Sequence, residues 1–345
     1  MLELWIRHET RSSERRCPLS PADAGTLVRR GARITVEESP QRIYPLADYA
    51  AQGCETAPAG AWVDAPPDAV VLGLKELPDE PARLRHRHVF FGHAYKGQPG
   101  ARQLLERFRE GGGTLLDLEQ LADEAGRRHA AFGYWAGFVG AALGVLQQHG
   151  DLTAPLQPTT SADLVEKLRR YRDRPSGDAL VIGALGRSGR GAVAALAEAG
   201  VSTTRWDVAE TRHLDRAALL RHELLVNAVL TGAGTEPLLR RTDLADPGCR
   251  LRCVVDVSCD PGSPYNALPI YDAVTTWEAP ATAAGPVAVI AIDNLPSLLP
   301  KDATDSFSAD LLPHLMDLDG LGGSWGRCAA AYRAAVEGLP TSEVP

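Results

Sequence analysis

Residues 179–191 read ALVIGALGRSGRG, and this stretch indicates how the second half of the chain folds. An apolar run predicts a buried strand, and Gly183, Gly186 and Gly189 follow it before an alanine-rich helix. In a nucleotide-binding βαβ unit, one glycine permits the tight turn, another lets the backbone approach a pyrophosphate, and another lets helix and strand pack closely. The helix N terminus then offers N–H groups to the phosphates. The stretch predicts a dinucleotide site, with a tight turn in an unliganded domain as the alternative.

Asp207 ends the next predicted strand after the glycine turn. A carboxylate at this place accepts hydrogen bonds from ribose hydroxyls and repels the 2′-phosphate of NADP. The pattern therefore favours NAD as the cofactor. Arg187 and Arg205 are basic neighbours that keep NADP open as the alternative.

Outward from the glycine turn, strands and helices alternate along the chain, which predicts an α/β fold with mostly parallel sheets. At roughly 150 residues per domain, the 345 residues make about two domains. The final stretch has no strand of its own, so we expect its helices to pack on the first domain. The predicted strands are 2–7, 32–36, 69–74, 88–92, 113–116, 179–183, 202–206, 224–229, 252–257 and 287–292; the predicted helices are 21–30, 100–109, 131–148, 189–198, 213–221, 306–318 and 325–337.

The helix predicted over 131–148 lies in a stretch, residues 130–146, that carries no charged residue. At 1.5 Å per residue this stretch spans about 25 Å, short of the roughly 30 Å core of a bilayer. Its glycine pairs 133/137 and 140/144 would let another backbone approach closely. We therefore predict a buried helix, with a membrane helix as the alternative.

The composition argues against several classes of protein. The net charge is −8, from 36 basic and 44 acidic residues, whereas non-specific nucleic-acid binding needs a basic surface. The six cysteines form no CxxC and no metal-type pairing, which fits a reducing cytoplasm. The N terminus does not read as a signal peptide. His86 and His88 lack a third ligand, so no metal site is predicted.

Polar residues directly follow two apolar runs in the first half of the chain. Lys75 comes after the run 69–74, and His93 comes after the run that ends at Gly92. In an open parallel sheet, ligands bind beyond the carboxyl ends of the strands. Each residue alone is as easily a solvated surface side chain, but together they suggest an acid–base pair in a chain that also binds a dinucleotide.

Several segments, in order along nearly the whole chain, resemble the NAD-dependent, lysine-forming saccharopine dehydrogenases. GLKELP, the GRR and AFG segments, and IDNLPSLLP are the specific ones, whereas the glycine turn alone is not. More distantly, the entry segment 14–21 resembles that of alanine dehydrogenases and the related transhydrogenase domain. The matching segments are RHET at 7–10, GLKELP at 73–78, HAYK at 93–96, GRR at 126–128, AFG at 131–133, GALGR at 183–187, WD at 206–207, ET at 210–211, VVDVS at 254–258 and IDNLPSLLP at 292–300.

The resemblance implies two Rossmann-like domains around a cleft. The substrate domain would comprise 1–130 plus 297–345, and the NAD-binding domain would comprise 131–296. It implies oxidative cleavage of saccharopine, with NAD and water, to lysine and 2-oxoglutarate, as in lysine biosynthesis. It also implies a monomer or a small homo-oligomer that acts on small molecules, with no nucleic-acid or membrane partner.

The resemblance also implies roles for individual residues. Lys75 corresponds to the proton acceptor of the family and His93 to its acid–base group. The implied substrate-site positions are Arg16, Lys96, Arg128, Phe132, Glu76 and Glu119. The implied cofactor-site positions are Arg127, Gly183, Gly186, Arg187, Ser188, Gly189, Asp207, Thr211, Leu230, Val257, Ile292, Asp293, Asn294 and Leu295.

The chain also departs from the family. Fungal members carry cysteines where Ser188 and Ala228 stand, so a disulfide between these positions is impossible here. No implied catalytic residue is missing. A related reductive-amination enzyme, either of the opine type or similar to alanine dehydrogenase, stays open as the alternative, as does a non-catalytic protein that responds to NAD.

Overall fold

The computed structural model describes residues 1–95, 97–98, 100–174, 177–231 and 236–340. It divides into two compact units, Met1–Ala131 with Ala303–Pro345, and Phe132–Asp302. The chain returns to the first unit only after Asp302, later than the predicted boundary at 297, because Leu295, Leu298 and Leu299 pack into the core of the second unit. The assignment of substrate to the first unit and of NAD to the second stays a prediction.

Within the described residues, the first unit contains a six-stranded sheet in the order β3-β2-β1-β4-β5-β6. Every neighbouring pair in it is parallel, so the carboxyl ends of all its strands lie along one edge. This edge receives the polar segments that follow β1, β4, β5 and β6. The strands are β1 (Glu3–Ile6), β2 (Arg33–Glu37), β3 (Glu55–Ala57), β4 (Val70–Leu72), β5 (Arg87–Phe90) and β6 (Thr114–Asp117).

The second unit likewise contains, within the described residues, a six-stranded sheet, in the order β11-β12-β10-β9-β7-β8. Only the pair β11–β12 is antiparallel. The prediction of an α/β protein with two Rossmann-like, mostly parallel sheets is therefore confirmed. The strands are β7 (Ala179–Ile182), β8 (Thr203–Trp206), β9 (Leu224–Asn227), β10 (Cys253–Asp256), β11 (Thr282–Ala284) and β12 (Val287–Ile290).

The helices follow the predicted pattern, with differences at their ends. Helix α8 begins at Arg216 rather than at 213, because the Asp215 carboxylate accepts the Ala218 N–H at 2.9 Å and caps the helix. Helices α2, α5 and α7 were not predicted. The α-helices are α1 (Pro21–Arg29), α2 (Leu46–Ala50), α3 (Ala101–Gly111), α4 (Gly133–Gln148), α5 (Ser161–Arg169), α6 (Arg187–Glu198), α7 (Val208–Thr211), α8 (Arg216–Leu220), α9 (Pro300–Leu315) and α10 (Gly323–Glu337).

The two C-terminal helices pack on the first sheet unit, as predicted. In α9, the Ser308 hydroxyl accepts the Ser20 N–H at 2.8 Å. In α10, the Tyr332 hydroxyl donates to the Gly113 carbonyl at 3.0 Å, beside β6. Helix α9 begins at Pro300, earlier than the predicted 306, since proline is well tolerated in the first turn of a helix.

The uncharged helix α4 is buried in the second unit, as predicted. A Cβ on Gly137 would collide with the backbone carbonyl of Ser188 on α6, and a Cβ on Gly191 of α6 would collide with the carbonyl of Tyr134. The two helices therefore touch backbone to backbone, which only glycine permits. Among the described residues, no helix combines the length and the apolar character that a membrane span needs.

Candidate active site

Polar segments follow four neighbouring strands of the first sheet. Glu14 and Arg16 come after β1, Lys75 comes after β4, His93 comes after β5, and Glu119 comes after β6. Because these strands are parallel neighbours, the segments meet at the same edge of the sheet. The structure thus places Lys75 and His93 at the ends of adjacent strands.

His93 and Glu119 form a hydrogen-bonded pair at this edge. The Nδ1 atom of His93 lies 3.2 Å from Oε1 of Glu119, and the imidazole side chain is 52% exposed. The hydrogen bond to Glu119 raises the pKa of His93, although burial opposes it. The backbone at His93 has φ of +49°, an uncommon conformation outside glycine. Glu119 thus fixes one ring nitrogen of His93, and Nε2 is the nitrogen that can exchange a proton with a substrate or a water molecule.

Asp117 bonds to the backbone of Glu119 in this pair, and the sequence analysis did not identify it. Its Oδ1 accepts the Glu119 N–H at 2.9 Å, and its side chain is fully buried at the end of β6. Burial raises the pKa of Asp117. A carboxylate at the end of a strand, as at Asp117 after the apolar residues of β6, is the sequence signal that identifies such a residue.

Glu14 and Arg16 form a buried, two-pronged ion pair. Arg16 Nε donates to Glu14 Oε1 at 2.8 Å, and Arg16 Nη2 donates to Oε2 at 2.6 Å. Burial by itself would raise the pKa of Glu14, but the Arg16 guanidinium, helped by Lys75, lowers it to about 2. Glu14 therefore occupies the forked edge of the Arg16 guanidinium, which is the edge formed by Nε and Nη2. The predicted binding of a substrate carboxylate by Arg16 cannot use that edge while Glu14 holds it.

Glu76 faces a cation from the neighbouring segment after β1. Arg11 Nε donates to Glu76 Oε1 at 2.6 Å, and the Thr10 hydroxyl donates to the Glu76 carbonyl at 3.2 Å. Burial raises the pKa of Glu76, but the Arg11 hydrogen bond outweighs it and lowers the pKa. The carboxylate next to Lys75 is thus kept ionised.

The remaining predicted substrate-site residues are not all in one unit. Arg128 belongs to the first unit, is exposed, and pairs with Ala122 in an isolated antiparallel bridge. Phe132 belongs to the second unit, where it precedes α4. Lys96 lies outside the described residues. Arg127, predicted to bind the cofactor, belongs to the first unit and pairs with Asp123 at 2.8 Å.

The glycine turn of the second unit has the geometry that its spacing predicts. Gly183 directly follows β7 with φ of +80°, and Gly186 is the N-cap residue of α6. A Cβ on Gly189 would lie 2.6 Å from Cα of Ala184, so the helix packs directly on the turn. Ser188, in the first turn of α6, contacts α4 through its backbone. The exposed N–H groups of α6 can therefore face a phosphate.

A cavity of about 690 Å³ lies beside the glycine turn. Asp207 borders it at the end of β8, where its Oδ2 accepts the Leu185 N–H at 2.9 Å and its Oδ1 accepts the Val208 N–H at 2.9 Å. Near the turn and the cavity, the aliphatic side chains of Leu185, Val208 and Leu230 are 75%, 63% and 54% exposed. The cavity is lined by Ile182, Gly183, Asp207, Val208, Thr211, Arg212, Leu214, Arg216, Val229, Leu230, Thr231, Glu236 and Leu238.

These residues fit a dinucleotide. The turn provides backbone N–H groups for phosphates, Asp207 provides a fixed carboxylate for ribose hydroxyls, and exposed aliphatic side chains provide a surface for a base. The other predicted cofactor positions follow strands of the same sheet. Val257 follows β10, and residues 292–295 follow β12, with Asn294 in a left-handed conformation at φ of +70°.

The histidines of the sequence HRH lie in the core of the first unit. Burial lowers the pKa of His88 well below its ordinary value, and the ring packs edge-on against Trp62 and Phe108 at 5.1 and 5.2 Å. His86 bonds through Nε2 to the Ala65 carbonyl at 3.0 Å. Among the described residues, no group of three or more His, Cys, Asp or Glu side chains could hold a metal ion.

Comparison with known proteins agrees with this geometry. Residues 5–139 match the family described as alanine dehydrogenase/PNT, N-terminal domain. The saccharopine dehydrogenase [NAD(+), L-lysine-forming] of Neurospora crassa is 38% identical, over 98% of both chains. The enzyme of the same name from Schizosaccharomyces pombe is 36% identical, over 97% of this chain and 99% of its own.

Two solved structures share the fold. An L-alanine dehydrogenase superposes with a TM-score of 0.70 at 18% identity, over 96% of this chain and 94% of its own. A transhydrogenase from Sinorhizobium meliloti superposes with a TM-score of 0.67 at 15% identity, over 93% of this chain and 96% of its own. By its identity to the fungal enzymes over nearly its whole length, the chain belongs to the family of NAD(+)-dependent, L-lysine-forming saccharopine dehydrogenases.

Proposed function

We propose that this chain catalyses the oxidative cleavage of L-saccharopine, in which saccharopine, NAD⁺ and water give L-lysine, 2-oxoglutarate, NADH and a proton. The observation that carries the proposal is the group of acid–base side chains at adjacent strand ends, in a chain of this family. Lys75 and the hydrogen-bonded His93–Glu119 pair lie at the carboxyl edge of one parallel sheet. Two separate proton-transfer groups are what this reaction requires.

The glycine turn, Asp207, Thr211 and Leu230 would hold the cofactor in the second unit. Asp207 is the residue that selects NAD over NADP, because its carboxylate favours a ribose hydroxyl over a phosphate. When bound there, NAD⁺ supplies the acceptor for the hydride that leaves the substrate carbon. The roles of these residues are part of the proposal.

Lys75 acts first, as a general base. Hydride can leave the carbon next to the secondary amine only when that amine is neutral, so a base must take the proton of the ammonium form. Lys75 follows β4 and lies close enough to Glu14, Glu76 and His93 to influence the pKa of each of them. Loss of the proton to Lys75, followed by loss of hydride from the neutral amine, leaves a protonated imine.

His93 acts in the hydrolytic half of the reaction. Water adds to the imine carbon, a proton passes from the water to His93, and the carbinolamine then breaks its carbon–nitrogen bond to release amine and keto acid. Glu119 stabilises the imidazolium that forms, since its carboxylate lies 3.2 Å from Nδ1. The same pair can return the proton to the departing amine.

Basic side chains would recognise the several carboxylates of saccharopine. Arg128, exposed in the first unit, is the side chain best suited to a two-pronged contact. Arg16 would contribute its positive charge while Glu14 holds its forked edge. We also infer a cytoplasmic enzyme, since all six cysteines are free thiols.

A substrate panel tests the proposed function. Saccharopine, L-alanine, and L-lysine with several keto acids are offered with NAD(H) or NADP(H), and NADH is followed by absorbance. Saccharopine with NAD⁺ should yield NADH, lysine and 2-oxoglutarate in equal amounts. Turnover of alanine without turnover of saccharopine would contradict the proposal and support an alanine dehydrogenase-like enzyme.

A further inference from the structure

Side chains from the segment after β1 hold the peptide groups on both sides of Lys75. Glu9 Oε1 accepts the Leu74 N–H at 2.7 Å, and Glu9 Oε2 accepts the Lys75 N–H at 2.9 Å. Arg7 Nη2 donates to the Lys75 carbonyl. Strand β4 ends at Leu72, so side chains replace the strand hydrogen bonds that this part of the backbone lacks.

The same backbone is tied to the segment that carries His93. The Leu74 carbonyl accepts the Phe91 N–H at 3.1 Å, two residues before His93. All the backbone N–H and C=O groups of Leu74 and Lys75 are thus bonded, two to Glu9, one to Arg7 and one to Phe91. The backbone from which Lys75 projects is therefore held both by the two side chains from the segment after β1 and by the segment that carries His93.

Arg7 and Glu9 are almost completely buried and lie next to each other. Their exposed fractions are 1% and 4%, and Arg7 Nη1 lies 3.4 Å from Glu9 Oε2. The Arg7 guanidinium lies so close to Gly73 that a Cβ there would come within 2.6 Å of Arg7 Cζ. Because apolar residues often stabilise a core as well as a buried ion pair does, burial of this pair is by itself weak evidence for a purely stabilising role.

We propose that Arg7 and Glu9 are positioning residues for Lys75, and that Gly73 provides the space in which Arg7 reaches it. This inference rests on the proposed function, which makes Lys75 the general base. The pair holds the backbone from which the Lys75 side chain projects, so that the amine meets the substrate nitrogen at the correct place. Catalytic groups need such support, since a misplacement of about 1 Å can cost about 10²-fold in rate.

The test is a double-mutant cycle in the full-length enzyme with Glu9→Gln and Lys75→Met. A glutamine keeps one acceptor oxygen, but its NH₂ group would face a backbone N–H, so one of the two hydrogen bonds is lost. We measure kcat and KM for saccharopine, Kd for NAD⁺ by calorimetry, and Tm. Glu37→Gln is the matched control, because Glu37 is equally buried in the same unit and accepts four N–H groups, one of them from His8 but none from Leu74 or Lys75.

Glu9→Gln should lower kcat by about 10- to 100-fold without changing Kd for NAD⁺. In the Lys75→Met background the same change should lower kcat by less than about 2-fold, because Glu9 acts only through Lys75. Glu37→Gln should lower Tm but keep kcat within about 3-fold. A loss of kcat by Glu9→Gln that persists in the Lys75→Met background would overturn the positioning role, as would an unchanged kcat.

Gly73→Ala disturbs the same arrangement from the other side, because its methyl group displaces the Arg7 guanidinium. It takes the place of Glu9→Gln in the cycle if that variant does not fold, with the same expected results. Failure of the proposed function looks different from failure of the positioning role. The proposed function fails if the unmodified enzyme does not oxidise saccharopine, or if Lys75→Met keeps its kcat. Neither of these results depends on Glu9.

Discussion

Replacing Glu14 by glutamine should destabilise the first unit strongly at neutral pH. The change leaves the buried guanidinium of Arg16 without its two-pronged partner, and removal of one member of a buried ion pair costs about 3–5 kcal/mol. The pKa of Glu14 gives a second route to the magnitude. Its fall from 4.5 to about 2 on folding corresponds to roughly 3 kcal/mol of stabilisation at neutral pH.

The pH dependence follows from the sign of that change. Because the pKa of Glu14 is lower in the folded state, the stabilisation is fully present above the unfolded value of 4.5 and is lost as the pH falls toward about 2. The difference in free energy of unfolding between the unmodified protein and Glu14→Gln should therefore shrink as the pH falls from 5 toward 2. Urea unfolding at a series of pH values measures it.

Arg16→Met and the double variant provide the controls. Removing both charges leaves neither group unpaired, so the double variant should lose less stability than the sum of the two single variants. A loss below about 1 kcal/mol for Glu14→Gln, or a loss that does not vary with pH, would refute the buried pair as the source of stability.

Four further predictions concern the site and the fold. Lys75→Met and His93→Gln should each lower kcat by about 10²- to 10⁴-fold with NAD⁺ affinity nearly intact. Steady-state kinetics measure kcat and calorimetry measures the affinity, and a near-normal kcat would contradict the role of the residue that was changed. Asp207→Ala should narrow the preference for NAD over NADP in kcat/KM, and equal use of both by the unmodified protein would contradict the role of Asp207. Glu119→Gln should lower the pKa of His93, because the hydrogen bond that raises this pKa is weakened. The limb of the pH profile of kcat/KM that reflects His93 should then move to lower pH, and an unmoved limb would contradict the coupling of His93 to Glu119. Gly137→Ala should lower the free energy of unfolding by about 1–3 kcal/mol and weaken NAD⁺ binding, because the new methyl group collides with the backbone of α6, and an unchanged Tm would refute the contact.

Much of the fold was predictable because its signals are local. Apolar runs identified the central strands β4, β7 and β10, and glycine spacing identified the turn before α6. The short strands β3 and β11 and the helices α2, α5 and α7 were missed, since they are short or have weak local patterns. Edge strands bury fewer side chains and so show less periodicity.

The sequence by itself determined the α/β class, the order of the elements and the presence of Lys75 and His93 at strand ends, because these follow from patterns within a few residues. Only the tertiary structure decided which side chains meet there. Glu14 takes the forked edge of Arg16, while Arg7 and Glu9 reach across from β1 to hold the backbone beside Lys75. Such contacts depend on the pairing of β1 with β4, whose residues are more than sixty positions apart in the chain. Parallel pairing of distant strands, which no local pattern records, brings these charges together.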